Sequence, residues 1–489
     1  MKMTKKCYIG FDLGTSGLRG LLVDEGGATI ASHEVSYASQ RPERGWSEQD
    51  PANWIAACGA VVQQLRAQVP DEWACVAGIG VSGHMHGAVL LDRGGAVVRP
   101  CMLWNDTRSH IEAASLDGVD RVREVSGNIV FPGFTAPKLM WVATHEPENF
   151  SKTAKVLLPA AYLNFWLTGA YVADMSDSAG TSWLDVGARD WSQELLDASG
   201  MTRSQMPDLV EGSHVAAALR ADLARDWGLS PAVQVAGGAG DNAAAACGAG
   251  VLKEGQGFIS LGTSGVLLAA RDSYAPNAAS AVHTFCHAVP DRWYQMGVIL
   301  AATDCLNWLA SVTGQTPAAL TSALGDTLTA PSDLKFMPYL SGERTPHNDS
   351  QIRGSFIGLD IGTTTKDMTH AVLAGVAYAL RDSYEALKTT GVELHEVLAL
   401  GGGTKSRLWV EMVATVLNLP LAVPADGDFG AALGAARLAQ CAVTGADPAT
   451  VMTAPDIDEI IQPNPALIAA YDAGYIQYKR LYPAMKALL

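Results

Sequence analysis

The feature that most constrains this chain is an internal repeat. Residues 8–13 form an apolar run carrying a single carboxylate, Asp12, and lead into Gly14-Thr15-Ser16-Gly17 and a second apolar run over 18–24. This pattern predicts a buried strand, a tight turn and a returning strand, with residues 25–27 turning into a third. The same pattern recurs at residues 258–261, Gly262-Thr263-Ser264-Gly265 and residues 266–270. Gly14 and Gly262 stand 248 positions apart, about half of the 489 residues. Two copies of one hairpin at that spacing predict two related domains facing each other across a cleft. The length agrees, because one hydrophobic core does not grow to this size. Taken singly, each turn reads first as an ordinary hairpin connection. As a pair in equivalent places they read as two phosphate cradles, in which glycine allows close approach and backbone N–H groups and Thr and Ser hydroxyls meet anionic oxygens.

Between and after the hairpins, short apolar runs alternate with helical stretches. Residues 76–81, 233–239 and 397–400 read as strands, and 52–69, 242–249, 406–417 and 430–440 as helices. The fold class is therefore α/β, with a first domain over 1–249 and a second over 250–489. Residues 359–364 mimic the first turn, but they run into a helical pattern over 368–387 and not into a returning strand. That segment is expected to be a loop and helix start, with Thr365 or Asp367 near the N-cap.

A formal charge of −16 argues against binding nucleic acid or an anionic membrane by broad electrostatics. It leaves room for a nucleotide, because a phosphate site needs oriented amides and a few local charges. The eight cysteines are scattered without a CxxC pair, as in reduced thiols of the cytoplasm. The basic start of the chain lacks the apolar region of a signal peptide, and no apolar run is long enough to span a bilayer. A cytoplasmic protein is expected.

Two carboxylates are candidates for phosphoryl-transfer chemistry, which needs a phosphate cradle, a divalent metal and a base for the attacking hydroxyl. Asp12 ends a strand immediately before the first glycine turn, where it could hold Mg²⁺ through water. Asp241 sits in Gly237-Gly238-Ala239-Gly240-Asp241-Asn242, between a strand end and a helix start. There it reads either as an N-cap or as a general base reached by a substrate hydroxyl, and the glycine-rich approach favours the base. Gly401-Gly402-Gly403, between a strand and a helix, offers bare backbone to an adenosine, although a plain strand-to-helix connection has the same look. Gly83-His84-Met85-His86-Gly87 and Trp104-Asn105-Asp106-Thr107-Arg108 supply polar groups and an aromatic wall for a sugar. The i, i+2 histidines lack a third ligand at suitable spacing, so a metal site is not expected there.

Taken together, the sequence resembles the FGGY carbohydrate kinases, and among them the xylulokinases most closely. The blocks that carry the resemblance run in order along nearly the whole chain. They are Ile9 to Gly17, Trp46-Ser47-Glu48-Gln49-Asp50-Pro51, Met85-His86-Gly87, Leu103-Trp104-Asn105-Asp106, Gly133 to Leu139, Asp174-Met175-Ser176-Asp177, Gly240-Asp241-Asn242, Ser260 to Gly265 and Leu340 to His347. The resemblance implies two duplicated domains of the actin-like and Hsp70-like, ribonuclease H-like, ATPase fold with an interdomain cleft. It implies ATP-dependent phosphorylation of D-xylulose on O5, with Asp241 as catalytic base and Asp12 as the acid associated with Mg²⁺ and phosphate. Met85, His86, Trp104, Asn105 and Asn242 are implied on the sugar side, together with Asp241. Gly14, Thr15, Ser16, Gly262, Thr263, Ser264, Gly401, Gly402 and Lys405 are implied on the ATP side. The expected partners are the sugar and ATP, with a homodimer left open. Other ketopentoses or polyols (D-ribulose, L-ribulose, L-xylulose, glycerol) are alternative acceptors, and a non-catalytic sugar sensor or an actin-type ATPase is an alternative of another class. The sequence departs from the family at His84, where Gln is usual, at Ala374, where Glu is usual, and in the loop 360–364.

Overall fold

A computed structural model describes residues 6–425 and 430–488. The first apolar run forms β1 (Cys7–Leu13), which turns into β2 (Gly17–Asp24) and β3 (Thr29–Ser36). Helix α1 (Pro51–Gln68) follows, with proline in its first turn and the Asp50 carboxylate accepting from the N–H of Ala52. The sheet is completed by β4 (Val76–Gly83), β5 (Val215–Ala218), β6 (Gln234–Ala236) and the two-residue β7 (Ala239–Gly240). Its order is β5-β6-β4-β1-β2-β3, with β7 paired to β4 beyond β6.

The second sheet holds β8 (Gln256–Leu261), β9 (Gly265–Arg271), β10 (His283–Cys286), β11 (Trp293–Ile299), β12 (Glu396–Leu400), β13 (Leu421–Pro424) and β14 (Ile457–Ile461). Its order is β10-β11-β9-β8-β12-β13-β14. β1 pairs antiparallel with β2 and parallel with β4, and β8 pairs antiparallel with β9 and parallel with β12. Next come a further parallel strand and an antiparallel edge strand, β6 and β5 in one half and β13 and β14 in the other. The repeat that two short turns announced therefore extends through both sheets. One connection differs: β5 precedes β6 along the chain, whereas β14 follows β13.

The helices that shape the centre are α2 (Thr135–His145), α3 (Asp241–Ala249), α4 (Thr303–Thr313), α5 (Thr365–Lys388), α6 (Arg407–Leu417) and α7 (Ala431–Thr444). α7 comes from the second half but lies on the first half's sheet. A Cβ at Gly10 of β1 would fall 1.8 Å from the Ala432 carbonyl oxygen, and one at Gly80 of β4 would fall 1.9 Å from that of Ala435. Only glycine allows strand and helix backbones to meet this closely. The helix also meets α3, where a Cβ at Gly434 would lie 1.8 Å from the Ala244 carbonyl oxygen. The two halves thus share one buried cluster, in which Leu21, Phe134 and Ala243 join Phe285, Ala432 and Leu438.

Two local expectations change in detail. The strand foreseen over 233–239 is split at Gly237 and Gly238 into β6 and β7, because Gly238 takes φ +86°. The segment 359–364 is a loop and helix start as expected, but the cap of α5 is Thr364. Its hydroxyl accepts from the Asp367 N–H and the Asp367 carboxylate binds back, so Asp367 is the N3 partner of a capping box.

Candidate active site

The first glycine turn is held by side chains that accept nothing from it and donate to its carbonyls. Tyr37 Oη donates to the Gly14 carbonyl at 2.6 Å, and Gln49 Nε2 donates to that of Thr15 at 2.6 Å. Trp104 Nε1 donates to Thr15 Oγ1 at 3.0 Å, which ties the expected sugar wall to the expected phosphate cradle. Trp104 itself is 46% exposed, so a large part of its indole remains free to meet a ligand. The second turn is held differently. The N–H groups of Ala302 and Thr303, at the start of α4, donate to the Thr263 and Gly262 carbonyls at 2.8 and 2.9 Å, and Thr303 Oγ1 adds a bond to Gly262. In both turns the carbonyl oxygens of the first two residues, which would repel phosphate, are occupied within the protein.

Asp12 closes β1 opposite Ser82 of β4, whose hydroxyl donates to its Oδ1 at 2.8 Å. Burial raises its carboxyl above the usual range, while Ser82 and the charge of Arg19 pull the other way. Asp241 is the first residue of α3 and does not cap it; Gly240 occupies the cap position. The N-cap alternative is thereby removed. The Asn242 N–H and Nδ2 both donate to Asp241 Oδ1, at 2.7 and 2.9 Å, so the engaged oxygen is Oδ1. Burial, and then the charge of Asp12, push the Asp241 carboxyl up to about 7. A carboxylate so placed is matched to taking a proton at neutral pH.

The block Asp174-Met175-Ser176-Asp177 explains how Asp241 is aimed. The Asp174 carboxylate accepts from the backbone and hydroxyl of Ser176, and Ser176 Oγ accepts from the Gly240 N–H at 3.1 Å. The residue before Asp241 is thus tied to a capped turn. Asp177 is buried with both carboxyl oxygens unbonded among the described residues. Burial, and then the charges of Asp174 and Asp241, raise it well above the usual range.

On the side expected to meet the sugar, Met85 packs beside Gly240, where an added Cβ would lie 2.9 Å from Met85 Cγ. His86 takes φ +68°, and its ring stacks on Phe134 with centroids 4.4 Å apart. Its Nδ1 lies 2.7 Å from the Gly180 carbonyl, which can only accept. Burial holds the ring neutral, down to about 3, so the proton sits on Nδ1 and Nε2 is an acceptor. Lys138 of α2 fixes this loop, donating to the His86 and Gly133 carbonyls at 2.8 and 2.7 Å. The His84 ring packs edge-on to Trp54 of α1 at 5.5 Å, with both nitrogens buried and unbonded among the described residues. Asn105 is half-buried, and its Oδ1 is occluded without a partner among the described residues.

Gly401, Gly402 and Lys405 line a cavity of about 550 Å³ with Asn242, Phe258, Ser260, Val423 and Pro424. This places the residue beside Asp241 on the same wall as the foreseen adenosine segment. The second turn adjoins it, because a Cβ at Gly401 would fall 2.8 Å from the Leu261 carbonyl oxygen and 3.2 Å from the Gly262 nitrogen. Tyr37, Gln49, Lys138, Thr303 and Ser176 were given no role from sequence. Gln49, Lys138 and Ser176 lie within blocks that the sequence displays, but a polar residue that will be buried against a carbonyl has no local signature.

Residues 7–248 match the N-terminal domain of the FGGY family of carbohydrate kinases, and residues 257–443 match its C-terminal domain. The chain belongs to this family. This FGGY kinase is 43% identical over 487 residues to a xylulose kinase of Klebsiella pneumoniae, covering 99% of this chain and all of that one. It superposes on a "xyloylose kinase" of Brucella ovis with a TM-score of 0.97 and 55% identity, over 99% of this chain and 100% of the other. A xylulose kinase of Rhodospirillum rubrum gives 0.92 at 30% identity, with 99% of each chain covered. The FGGY kinase described here is an ATP-dependent sugar kinase of the actin-like α/β fold. Among its described residues no helix is long and apolar enough to cross a membrane.

Proposed function

We propose that this kinase transfers the γ-phosphoryl group of ATP to O5 of D-xylulose, giving D-xylulose 5-phosphate and ADP. The observation that carries the mechanism is Asp241: half-buried, aimed by the Gly240–Ser176 bond, and engaged through Oδ1 by Asn242. Its Oδ2 accepts the proton of the attacking hydroxyl as the oxygen approaches phosphorus in line. Trp104 forms one wall of the sugar site, Met85 and His86 another, and His86 Nε2 accepts from a sugar hydroxyl. The relatives named as xylulose kinases support the choice of sugar.

The two turns hold phosphate oxygens through backbone N–H groups and hydroxyls, while Gly401, Gly402 and Lys405 meet the nucleoside side of the cavity. Among the described residues no group of three or more His, Cys, Asp or Glu is placed to hold a metal. This fits Mg²⁺, which takes one or two carboxylates and completes its shell with water and phosphate. Asp12 would hold the ion, which supplies charge neutralisation on the phosphates. Of the two domains, 1–249 then contributes the acids, and 250–489 most of the nucleotide wall, with Asn242 from the first.

The test is ADP release measured with ATP and Mg²⁺ over a panel of D-xylulose, D-ribulose, L-ribulose, L-xylulose and glycerol, with the product's phosphate position read by NMR. D-xylulose is expected to give the highest kcat/KM and a 5-phosphate. A better polyol, or ATP turnover indifferent to sugar, would overturn the proposal.

A further inference from the structure

Arg344 reaches the sugar side from the second half of the chain and has no role in the chemistry described above. It sits in a loop closed by paired backbone bonds between Glu343 and Asp349, at 2.9 and 2.8 Å. The loop is fastened to the end of β11. Thr345 N–H donates to the Val298 carbonyl, Val298 N–H donates to Thr345 Oγ1, and Thr345 Oγ1 donates to the Ala281 carbonyl, all at 2.9 to 3.0 Å. From this rigid base the guanidinium crosses to the first half and stacks over Phe131, with Cζ 4.3 Å from the ring centroid. Phe131 meets Phe134 edge-on at 5.4 Å, and Phe134 carries the His86 ring. Arg344 is therefore two rings from the histidine that faces the sugar.

Its environment is unusual for a charge. Among the described residues the guanidinium makes one hydrogen bond, from Nη1 to His283 Nε2 at 3.3 Å, and has no carboxylate at ion-pair distance. Its neighbour Glu343 does not serve as counter-ion. That carboxylate turns back, its Oε1 accepting from the N–H groups of Leu300 and Arg344, and burial pushes it up to about 8. A guanidinium offers five N–H donors in a planar fork. Arg344 is half-buried, so the donors left unused are open to an acceptor that a ligand could bring. The charges have a direction as well: that of Arg344 bears on His86 and His283, whereas Asp241 feels Asp12. Through Phe131 and Phe134 the cation stands on the His86 side of the site.

We infer that Arg344 is a specificity-determining residue that donates to the carbonyl oxygen at the non-reacting end of a ketose, and so selects ketoses over polyols. A carbonyl oxygen accepts and never donates, which suits an arginine fork, whereas a polyol hydroxyl there brings a proton that the fork does not need. The inference rests on the ketose reading of the site. Its test compares kcat/KM for D-xylulose and for xylitol in the wild type, Arg344→Met and Arg344→Lys, with D-xylonate as a third acceptor. Sugar-independent ATP hydrolysis and ATP affinity report whether each variant is folded.

Arg344→Met is expected to lower the D-xylulose to xylitol ratio about 10- to 100-fold, through KM for the ketose. Xylitol turnover and ATP affinity stay near wild type, and Arg344→Lys recovers part of the ratio. Equal losses for both acceptors, an unchanged ratio, or preference of the wild type for D-xylonate would each overturn the inference. A wild type inactive on every ketopentose would instead overturn the proposed function, which the wild-type measurements alone reveal.

Discussion

The two glycine turns share their letters, their strand pairing and their place in two equivalent sheets, yet they are chemically unequal. Asp12 stands two residues before Gly14, and at the same place before Gly262 stands Ser260. Across the parallel neighbour, Asp12 faces Ser82 and Ser260 faces Leu400. At the start of the helix that follows, α3 begins with Asp241 and α7 with Ala431, each after a glycine cap. Duplication supplied two sets of backbone donors, but the carboxylates lie in one half only. A single phosphoryl centre explains the difference. In the function proposed above both acids serve that one centre, and a second set of acids opposite would repel the nucleotide.

The largest expected effect tests the base. Asp241→Asn keeps the size and the contact with Asn242 but removes the proton acceptor, and kcat should fall about 10²- to 10⁴-fold. KM for the sugar should stay within about threefold, and a variant of near-normal kcat would end the assignment. The asymmetry of the turns is tested next by Asp12→Asn beside Ser260→Ala. Loss of the metal's carboxylate should cost on the order of 10²-fold in kcat, against about threefold or less for the serine. Equal losses in steady-state assays would show that the two turns are equivalent after all.

The third test compares glycines. Gly80→Ala drives a Cβ into the Ala435 carbonyl of α7, whereas a Cβ at Gly402 meets nothing within 4 Å. The first should destabilise by about 1–3 kcal/mol and the second by less than about 0.5 kcal/mol, read as midpoints of urea unfolding. The smallest effect is in pH. Because Asp241 is raised to about 7, it is protonated below that value, so kcat/KM should fall about tenfold per unit as pH drops through 7 and level off above it. Mg²⁺ held by Asp12, as proposed, would cancel part of the charge that raises Asp241, so the limb of kcat in the ternary complex should lie at lower pH. Coincident limbs would argue against the ion's place beside Asp12.

Much of the fold was legible because it is written in local patterns. Apolar runs around Gly14 and Gly262 announce buried strands and their turns, and the equal spacing of the copies announces two matched sheets. Asp12 and Asp241 were visible as acids at strand ends beside glycine. The supporting groups were not visible. Nothing local marks Tyr37 and Gln49 as holding the Gly14 and Thr15 carbonyls, or Ser176 as holding Gly240, since the partners are 23, 34 and 64 residues away. The split of the strand at Gly237 and Gly238 depended on a backbone angle that glycine permits but does not demand.

By itself, then, the sequence determined that the chain is a duplicated α/β protein, where its two glycine turns lie, and which carboxylates stand beside them. Those are short-range properties, set by alternation, glycine and strand ends. Only the tertiary structure decided that Asp241 is not a helix cap, that α7 crosses onto the first sheet over Gly10 and Gly80, and that Arg344 comes to rest on Phe131. Each of these is a contact between distant segments, and its energy exists only once the two sheets have been brought together.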